Sequence, residues 1–305
     1  MTSYPFYQAD AFTRTPLAGN ALAMFPDAQG LTDTTMQAIA REMNLSETTF
    51  VFPSEKATRR IRFFTPNAEI PLAGHPTIGT WWLLAELGHV ELPDRGVERF
   101  TQETGAGVLP VDVHSEGGKP CQVVMVQAEP QFGLQVADPS ELGLALGGQK
   151  DTVLRDPRPQ VVSTGLPQLM IPIRSLAELE LLPSGGAGGK LVDLLKQLGT
   201  DCAMCYTLET VDPKATAHCR MFAPGLGVPE DPATGSAAGA LGSYLVRHDI
   251  VRPHDGVGTI AIEQGLEIGR PSRIHVQIAV GSGGEITEVR VGGEAVTVIH
   301  GEVRL

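Results

Sequence analysis

A glycine followed at once by a proton-carrying or hydroxyl side chain, at the head of an apolar helical stretch, can do chemistry, and this chain has two such places. They are Ala73-Gly74-His75-Pro76 and Thr234-Gly235-Ser236-Ala237. The start of a helix leaves backbone N–H groups without partners inside the helix, and the aligned peptide dipoles make that end positive. Such an end holds anions, carboxylates included. Pro76 fits at the first helical position because its missing N–H would have been unpaired anyway. A single turn of this kind reads more simply as an ordinary capped helix facing solvent. Its recurrence in the second half of the chain favours a pair of anion-binding helix starts, Gly74 and Gly235 supplying the backbone donors.

Two side chains, Glu47 and His75, could move a proton, and a third, Asp231, could bind substrate. Glu47 sits in Asn44-Leu-Ser-Glu-Thr48, after a helix expected over Asp33 to Met43 and before an apolar strand expected over Thr48 to Phe52. A carboxylate entering an apolar strand is partly desolvated, which suits it to proton transfer. Taken locally, the plainer reading is a strand-edge glutamate in water. His75 titrates near neutrality and could relay a proton, although a lone histidine is more often a hydrogen-bonded structural residue. Asp231, in Glu230-Asp-Pro-Ala-Thr-Gly-Ser236, could cap the helix start or bind a substrate hydroxyl or amine. A bare Asp-Pro pair is more often a turn.

The elements that must position these groups are written twice. Arg62-Phe-Phe-Thr-Pro66 is echoed by Arg220-Met-Phe-Ala-Pro224, and each is followed by a loop, a small-residue turn and an apolar helical stretch. Gln102 stands five residues before Gly107, as Gln264 does before Gly269. Gly19-Asn-Ala-Leu-Ala-Met24 and Gly165-Leu-Pro-Gln-Leu-Met170 pair more loosely. Matches in one order at nearly constant offset predict a duplicated domain. Each half reads as short strands around one long helix, from Pro76 to Leu87 and from Ala237 to Val246. Both helices are apolar nearly all round and so must be wrapped by a curved sheet. The expected class is therefore α+β, with two pseudo-symmetric domains at 1–128 and 129–293, a linker within 128–159, and a last strand near 294–305 returning to the first. If the halves are related by a pseudo-twofold axis, the two helix starts face one cleft. Ser184-Gly-Gly-Ala-Gly-Gly189 reads as a flexible surface loop.

Composition narrows the function classes. With 23 Lys and Arg against 35 Asp and Glu the net charge is -12, and no basic cluster is present, which argues against nucleic acid. An anionic substrate must then be drawn in by local dipoles rather than by the overall field. No apolar run is long enough to span a membrane, and the first residues lack the basic and apolar regions of a signal peptide. A cytoplasmic location is the expectation. Cys202-Ala-Met-Cys205 has redox spacing but lies in an expected strand, Cys202 to Leu208, so it and the other two cysteines, Cys121 and Cys219, read as small buried hydrophobes. The eight histidines show no ligand spacing on a shared helix face, so no metal is expected.

Taken together, Arg41-Glu-Met-Asn-Leu-Ser-Glu-Thr-Thr-Phe-Val51, Phe64-Thr-Pro66 with Ala73-Gly-His-Pro76, Glu230-Asp-Pro-Ala-Thr-Gly-Ser-Ala-Ala238 and Gln264-Gly-Leu-Glu-Ile-Gly-Arg-Pro-Ser272 resemble the PhzF-like phenazine-biosynthesis family. The resemblance implies a diaminopimelate-epimerase-like fold, a homodimer and no cofactor. By position it implies Glu47 as the catalytic glutamate, with His75, Asp231 and Ser236 as further site residues and Gly74 and Gly235 at the helix starts. In the phenazine-pathway member the reaction is isomerisation of trans-2,3-dihydro-3-hydroxyanthranilate, one glutamate taking a proton from C3 while a proton is returned at C1. Relatives that invert amino acids carry a cysteine at each helix start, where this chain has Ala73 and Thr234. The expectation is a cofactor-independent isomerase acting on a small carboxylate-bearing substrate. The alternatives are a cofactor-free racemase or epimerase, and a non-catalytic binding protein of the same fold.

Overall fold

The computed structural model describes residues 2–305. The chain divides into two units, one formed by the residues up to Val126 with Gly292–Leu305, the other by Gln127–Val291. The first runs β1 (Ser3–Ala11), β2 (Asn20–Phe25), α1 (Asp33–Met43), β3 (Glu47–Phe52), β4 (Arg59–Phe64), β5 (Glu69–Ile70), α2 (Gly74–Glu86), β6 (Arg95–Thr104), β7 (Gly107–Glu116) and β8 (Lys119–Gln127). The second runs β9 (Gln131–Gln135), α3 (Ser140–Ala145), β10 (Gln160–Ser163), β11 (Pro167–Pro172), α4 (Leu176–Glu180), α5 (Gly189–Gln197), β12 (Ala203–Thr207), β13 (Ala217–Ala223), β14 (Val228–Asp231), α6 (Gly235–Arg247), β15 (Val257–Gln264), β16 (Ser272–Val280) and β17 (Ile286–Gly293). The last strand, β18 (Ala295–Arg304), belongs to the first unit and pairs antiparallel with β1.

The two units share one topology. In the first, β1–β2 is antiparallel, β2–β3 parallel across α1, β3–β4 and β4–β5 antiparallel, β4–β6 parallel across α2, and β6–β7 antiparallel. In the second, β10–β11 is antiparallel, β11–β12 parallel across α4 and α5, β12–β13 and β13–β14 antiparallel, β13–β15 parallel across α6, and β15–β16 antiparallel. The duplication read from the sequence is thus a repeat of connections, and the α+β class holds. Each parallel step needs a crossover, and a helix supplies it every time.

Each unit wraps its strands around one helix. Ile78, Trp81, Leu83 and Leu84 of α2 are fully buried, and the helix packs on β1, β2, β3, β7 and β18. In α6, Ala237, Ala238, Leu241, Tyr244 and Leu245 are fully buried against β10, β11, β15 and β16. Each large apolar side chain so buried contributes about 1.5–3 kcal/mol, so the central helix is the core of its unit rather than a surface layer.

Details differ from the sequence reading. Both central helices start two residues earlier than expected, at Gly74 and Gly235. Pro76 is therefore the third helical residue, which costs nothing because the whole first turn lacks intrahelical N–H partners. The division between the two units falls at Val126 and Gln127, just ahead of the 128–159 span, which is folded. That span forms β9 and α3, with Leu142, Ala145, Leu146 and Val153 in a buried cluster. The Ser184–Gly189 segment is tied down: the Ser184 hydroxyl donates to Glu230 at 2.5 Å, Ala187 N donates to Ala145 O, and Gly189 opens α5.

Candidate active site

The local sequence places Glu47 with care. Asn44 ends α1 in the left-handed region at φ 50°, its N–H bonded back to Ala40 O. Asparagine tolerates that conformation, and it turns the chain directly into β3. Glu47 is the first residue of that strand rather than the one before it, opposite Leu22 of β2. Gly19 sets up the approach of β2 from the other side. At φ +63° its missing Cβ leaves room for Ala11 O, which would lie 2.3 Å from a methyl group there.

Glu47 is not a solvated edge residue. Its side chain is only 16% exposed, and Oε2 lies 3.2 Å from Nε2 of His75. His75 is the second residue of α2, itself 8% exposed at the side chain. Burial pushes its imidazole down to about 3, only partly offset by the hydrogen bond it donates to the Ala21 carbonyl. The ring is therefore neutral at ordinary pH and its one N–H is spent on Ala21. The nitrogen aimed at Glu47 presents a lone pair. Neither Oε2 nor Nε2 makes an aligned hydrogen bond, so the 3.2 Å approach is a contact. A proton placed on Glu47 Oε2 would find an acceptor within reach.

In the second unit, Ser236 is the equivalent second residue of α6. The buried Gln168 of β11 donates from Nε2 to Ser236 Oγ at 2.9 Å. That occupies a lone pair on the hydroxyl and leaves its proton to be donated elsewhere. Gln127 donates to Gly235 O at 2.9 Å and accepts from Thr164 Oγ1 at 2.7 Å. Thr164 also reaches Ser236 O at 3.3 Å. Neither α2 nor α6 has a side-chain cap on its first turn: the N-cap residues are Ala73 and Thr234, and neither bonds a helical N–H. Thr234 instead donates its hydroxyl to Asp231 Oδ2.

The loops leading to both helix starts are clamped alike. Arg62 grips Glu69 through two bonds, at 2.7 and 2.6 Å, and Arg220 grips Glu230 at 2.9 and 2.6 Å. Each guanidinium also lies over a phenylalanine, Phe64 at 5.2 Å and Phe222 at 5.1 Å. Glu69 and Glu230 each stand five residues before the helix-start glycine. The Arg62 and Arg220 repeat seen in the sequence is thus a device that fixes the turn. Such bidentate pairs add geometric specificity as well as energy.

A second buried network was not foreseen. His218 is fully buried and both its ring nitrogens are engaged, Nδ1 with Glu263 and Nε2 with Glu267, each at 2.8 Å. Both nitrogens can donate only as imidazolium. Burial opposes that charge, yet the bonds to Glu267 and Glu263 outweigh it and hold the group above its ordinary pKa. Glu263 further accepts from Val211 N and Asp212 N. The network anchors the strand end that carries Gln264. A histidine flanked by distant acids gives no local spacing signal, which is why the sequence reading passed over it.

The cysteines stand apart from this chemistry. All four are free, Cys202, Cys205 and Cys219 are buried, and burial pushes the Cys202 thiol up to about 12. Among the described residues no set of three or more His, Cys, Asp or Glu is arranged to hold a metal ion, and no helix is long and apolar enough to cross a membrane.

Known proteins place this architecture. The family described as phenazine biosynthesis-like protein, PhzC-PhzF, matches residues 9–301. An uncharacterized isomerase of Clostridium acetobutylicum is 38% identical over 99% of this chain and 98% of its own length. The trans-2,3-dihydro-3-hydroxyanthranilate isomerase of Pseudomonas aeruginosa is 36% identical over 97% of this chain and 98% of its own. The crystal structure of the Bacillus anthracis PhzF-family phenazine biosynthesis protein superposes with a TM-score of 0.91 at 32% identity, each chain covered completely. With the duplicated topology and the matched motifs in place, the chain belongs to the PhzF-like family of isomerases.

Proposed function

We propose that this isomerase moves a proton between carbons of a small carboxylate-bearing substrate, trans-2,3-dihydro-3-hydroxyanthranilate or a related cyclic amino acid, with Glu47 as the single acid/base. The observation that carries the reading is the contact between Glu47 Oε2 and the lone pair of neutral His75. Glu47 as carboxylate accepts the proton from one carbon. The protonated carboxyl is then steadied by His75 Nε2 and returns the proton to the other carbon, so that atoms and charge balance without a second base. Ser236, its lone pair taken by Gln168, donates to the substrate. Asp231 binds its amine or hydroxyl. The N–H groups around Gly74 and Gly235 neutralise its carboxylate or the charge that develops as the proton leaves.

Support for one base over two comes from Ala73 and Thr234, the residues immediately before the helix starts, neither of which can accept a proton from carbon. The substrate class is supported by the named activity of the Pseudomonas aeruginosa relative. A homodimer is part of the proposal, and sedimentation showing only a monomer at micromolar concentration would end it. The direct test is to incubate the protein with trans-2,3-dihydro-3-hydroxyanthranilate and a panel of cyclic amino acids in deuterium oxide and follow the carbons by NMR. Deuterium should enter at the carbon that receives the proton, to the extent that the Glu47 proton exchanges with solvent during the intermediate's lifetime, with no inversion of a retained stereocentre. Binding of carboxylates with neither product nor exchange anywhere in the panel would favour the binding-protein alternative, and label with inversion would favour the racemase.

A further inference from the structure

Duplication makes the differences between the two helix-start loops informative. Counting back from each glycine, Glu230 answers to Glu69, but Asp231 answers to Ile70 and Thr234 to Ala73. The acid and the hydroxyl therefore occur as a pair in one loop and are both missing from the other. Gln264 shows how the pair is wired. Fully buried at the end of β15, it donates from Nε2 to Thr234 Oγ1 at 3.1 Å and to Asp231 O at 2.7 Å, while its Oε1 accepts from Thr234 N at 3.4 Å. Ser272 adds a bond from its hydroxyl to Pro232 O at 3.0 Å.

The direction of each bond follows from this arrangement. An amide NH₂ can only donate, so the Thr234 oxygen is the acceptor from Gln264. Its own hydrogen is then committed to Asp231 Oδ2, the bond the structure contains. A hydroxyl whose donor direction is fixed by a buried amide, and which bonds a carboxylate within its own turn, restricts that carboxylate to one rotamer. Leaving it to be positioned by solvent would cost rate, because small misplacements of a reacting constellation are expensive.

We infer that Thr234 and Gln264 are positioning residues that aim the Asp231 carboxylate, so that the threonine just before α6 is a working part of the isomerase site rather than a blank. The inference rests on the reading of Asp231 as a substrate-binding residue. Its test uses Thr234→Val, which keeps shape and branching but removes the hydroxyl, Thr234→Ser, which restores it, Asp231→Asn, and the Asp231→Asn/Thr234→Val double variant. In the full-length protein, Thr234→Val should lower kcat about 10- to 100-fold with little change in melting temperature. Thr234→Ser should recover most of the loss. The double variant should be no slower than Asp231→Asn alone, because the two act as one unit. A crystal structure of Thr234→Val should show the Asp231 carboxylate turned from its place. Full activity in Asp231→Asn would refute the role given to Asp231 and leave the positioning to be judged from the crystal structure. An impaired Asp231→Asn beside a fully active Thr234→Val, or an unmoved Asp231 in the Thr234→Val crystal, would overturn the inference itself.

Discussion

His75 Nε2 lies 3.2 Å from Glu47 Oε2, and the imidazole that brings it there is neutral. The two residues are 28 positions apart, joined by the β2–β3 parallel pair on one side and the start of α2 on the other. A neutral ring with its N–H committed to Ala21 has one role left toward Glu47, that of proton acceptor. In the proposed mechanism His75 would hold the Glu47 proton rather than act as a cationic acid in its own right.

That neutrality has a measurable consequence for stability. The unfolded imidazole titrates near 6.5, while burial holds the folded one down to about 3. Between these values the unfolded chain binds a proton that the folded chain refuses, so stability contributed by His75 is present above about 6.5 and is lost as pH falls toward 3. The slope is about 1.4 kcal/mol per pH unit for one proton. Urea unfolding of wild type and His75→Gln between pH 7 and pH 4 should show the variant's curve flatter by about that amount. Equal slopes would contradict the neutral buried histidine.

His218 carries the opposite sign. Glu263 and Glu267 hold it charged with its pKa raised, so its stabilisation is full below its unfolded value and is lost as pH rises through the higher folded value. Removing one partner of a buried pair typically costs about 3–5 kcal/mol. His218→Gln should therefore be strongly destabilised at pH 6 and should lose the alkaline decline that wild type shows. Melting curves from pH 6 to 9 check it, and a variant retaining the wild-type decline would place the titration elsewhere.

The packing beneath Glu47 is tight at one point. A Cβ on Gly79 of α2 would lie 2.2 Å from Leu22 Cδ2, with Cδ1 and Cγ of the same side chain at 3.1 and 3.2 Å. Leu22 is fully buried and is the residue paired with Glu47. Overpacking of this kind costs about 1–3 kcal/mol, and here the strain falls on β2. Gly79→Ala should lower the melting temperature and reduce turnover together. Wild-type stability would show that Leu22 can re-pack without moving the strand.

Much of this was legible in the sequence because the motifs are contiguous. Asn44 to Thr48, Ala73 to Pro76 and Glu230 to Ser236 each announce a turn with a polar group at its mouth, and the repeat identified α2 and α6 as equivalent cores. What stayed hidden depends on pairings at long range. The contact of Glu47 with His75, the grip of Gln168 on Ser236 and the bracket of His218 by Glu263 and Glu267 join residues 28 to 68 positions apart. In the sequence Gln264 reads as a repeated residue without a role. Its partner turn, Asp231 to Thr234, lies about 30 positions upstream, and only the parallel pairing of β13 with β15 brings them together. The missed start of α2 has a simpler cause: proline is as welcome anywhere in the first turn as at its first position.

The most direct test of the account is the turnover of Glu47→Gln on a substrate that wild type isomerises, measured beside its affinity for product. The amide keeps the shape of the side chain and can still meet His75 Nε2, but it cannot take a proton from carbon. General acid–base catalysis is worth about 10²–10⁴-fold, so kcat should fall at least that far while product affinity stays close to wild type, and solvent deuterium should no longer enter the product. A Glu47→Gln enzyme that turns over and exchanges label at the wild-type rate would contradict the assignment of Glu47 as the base.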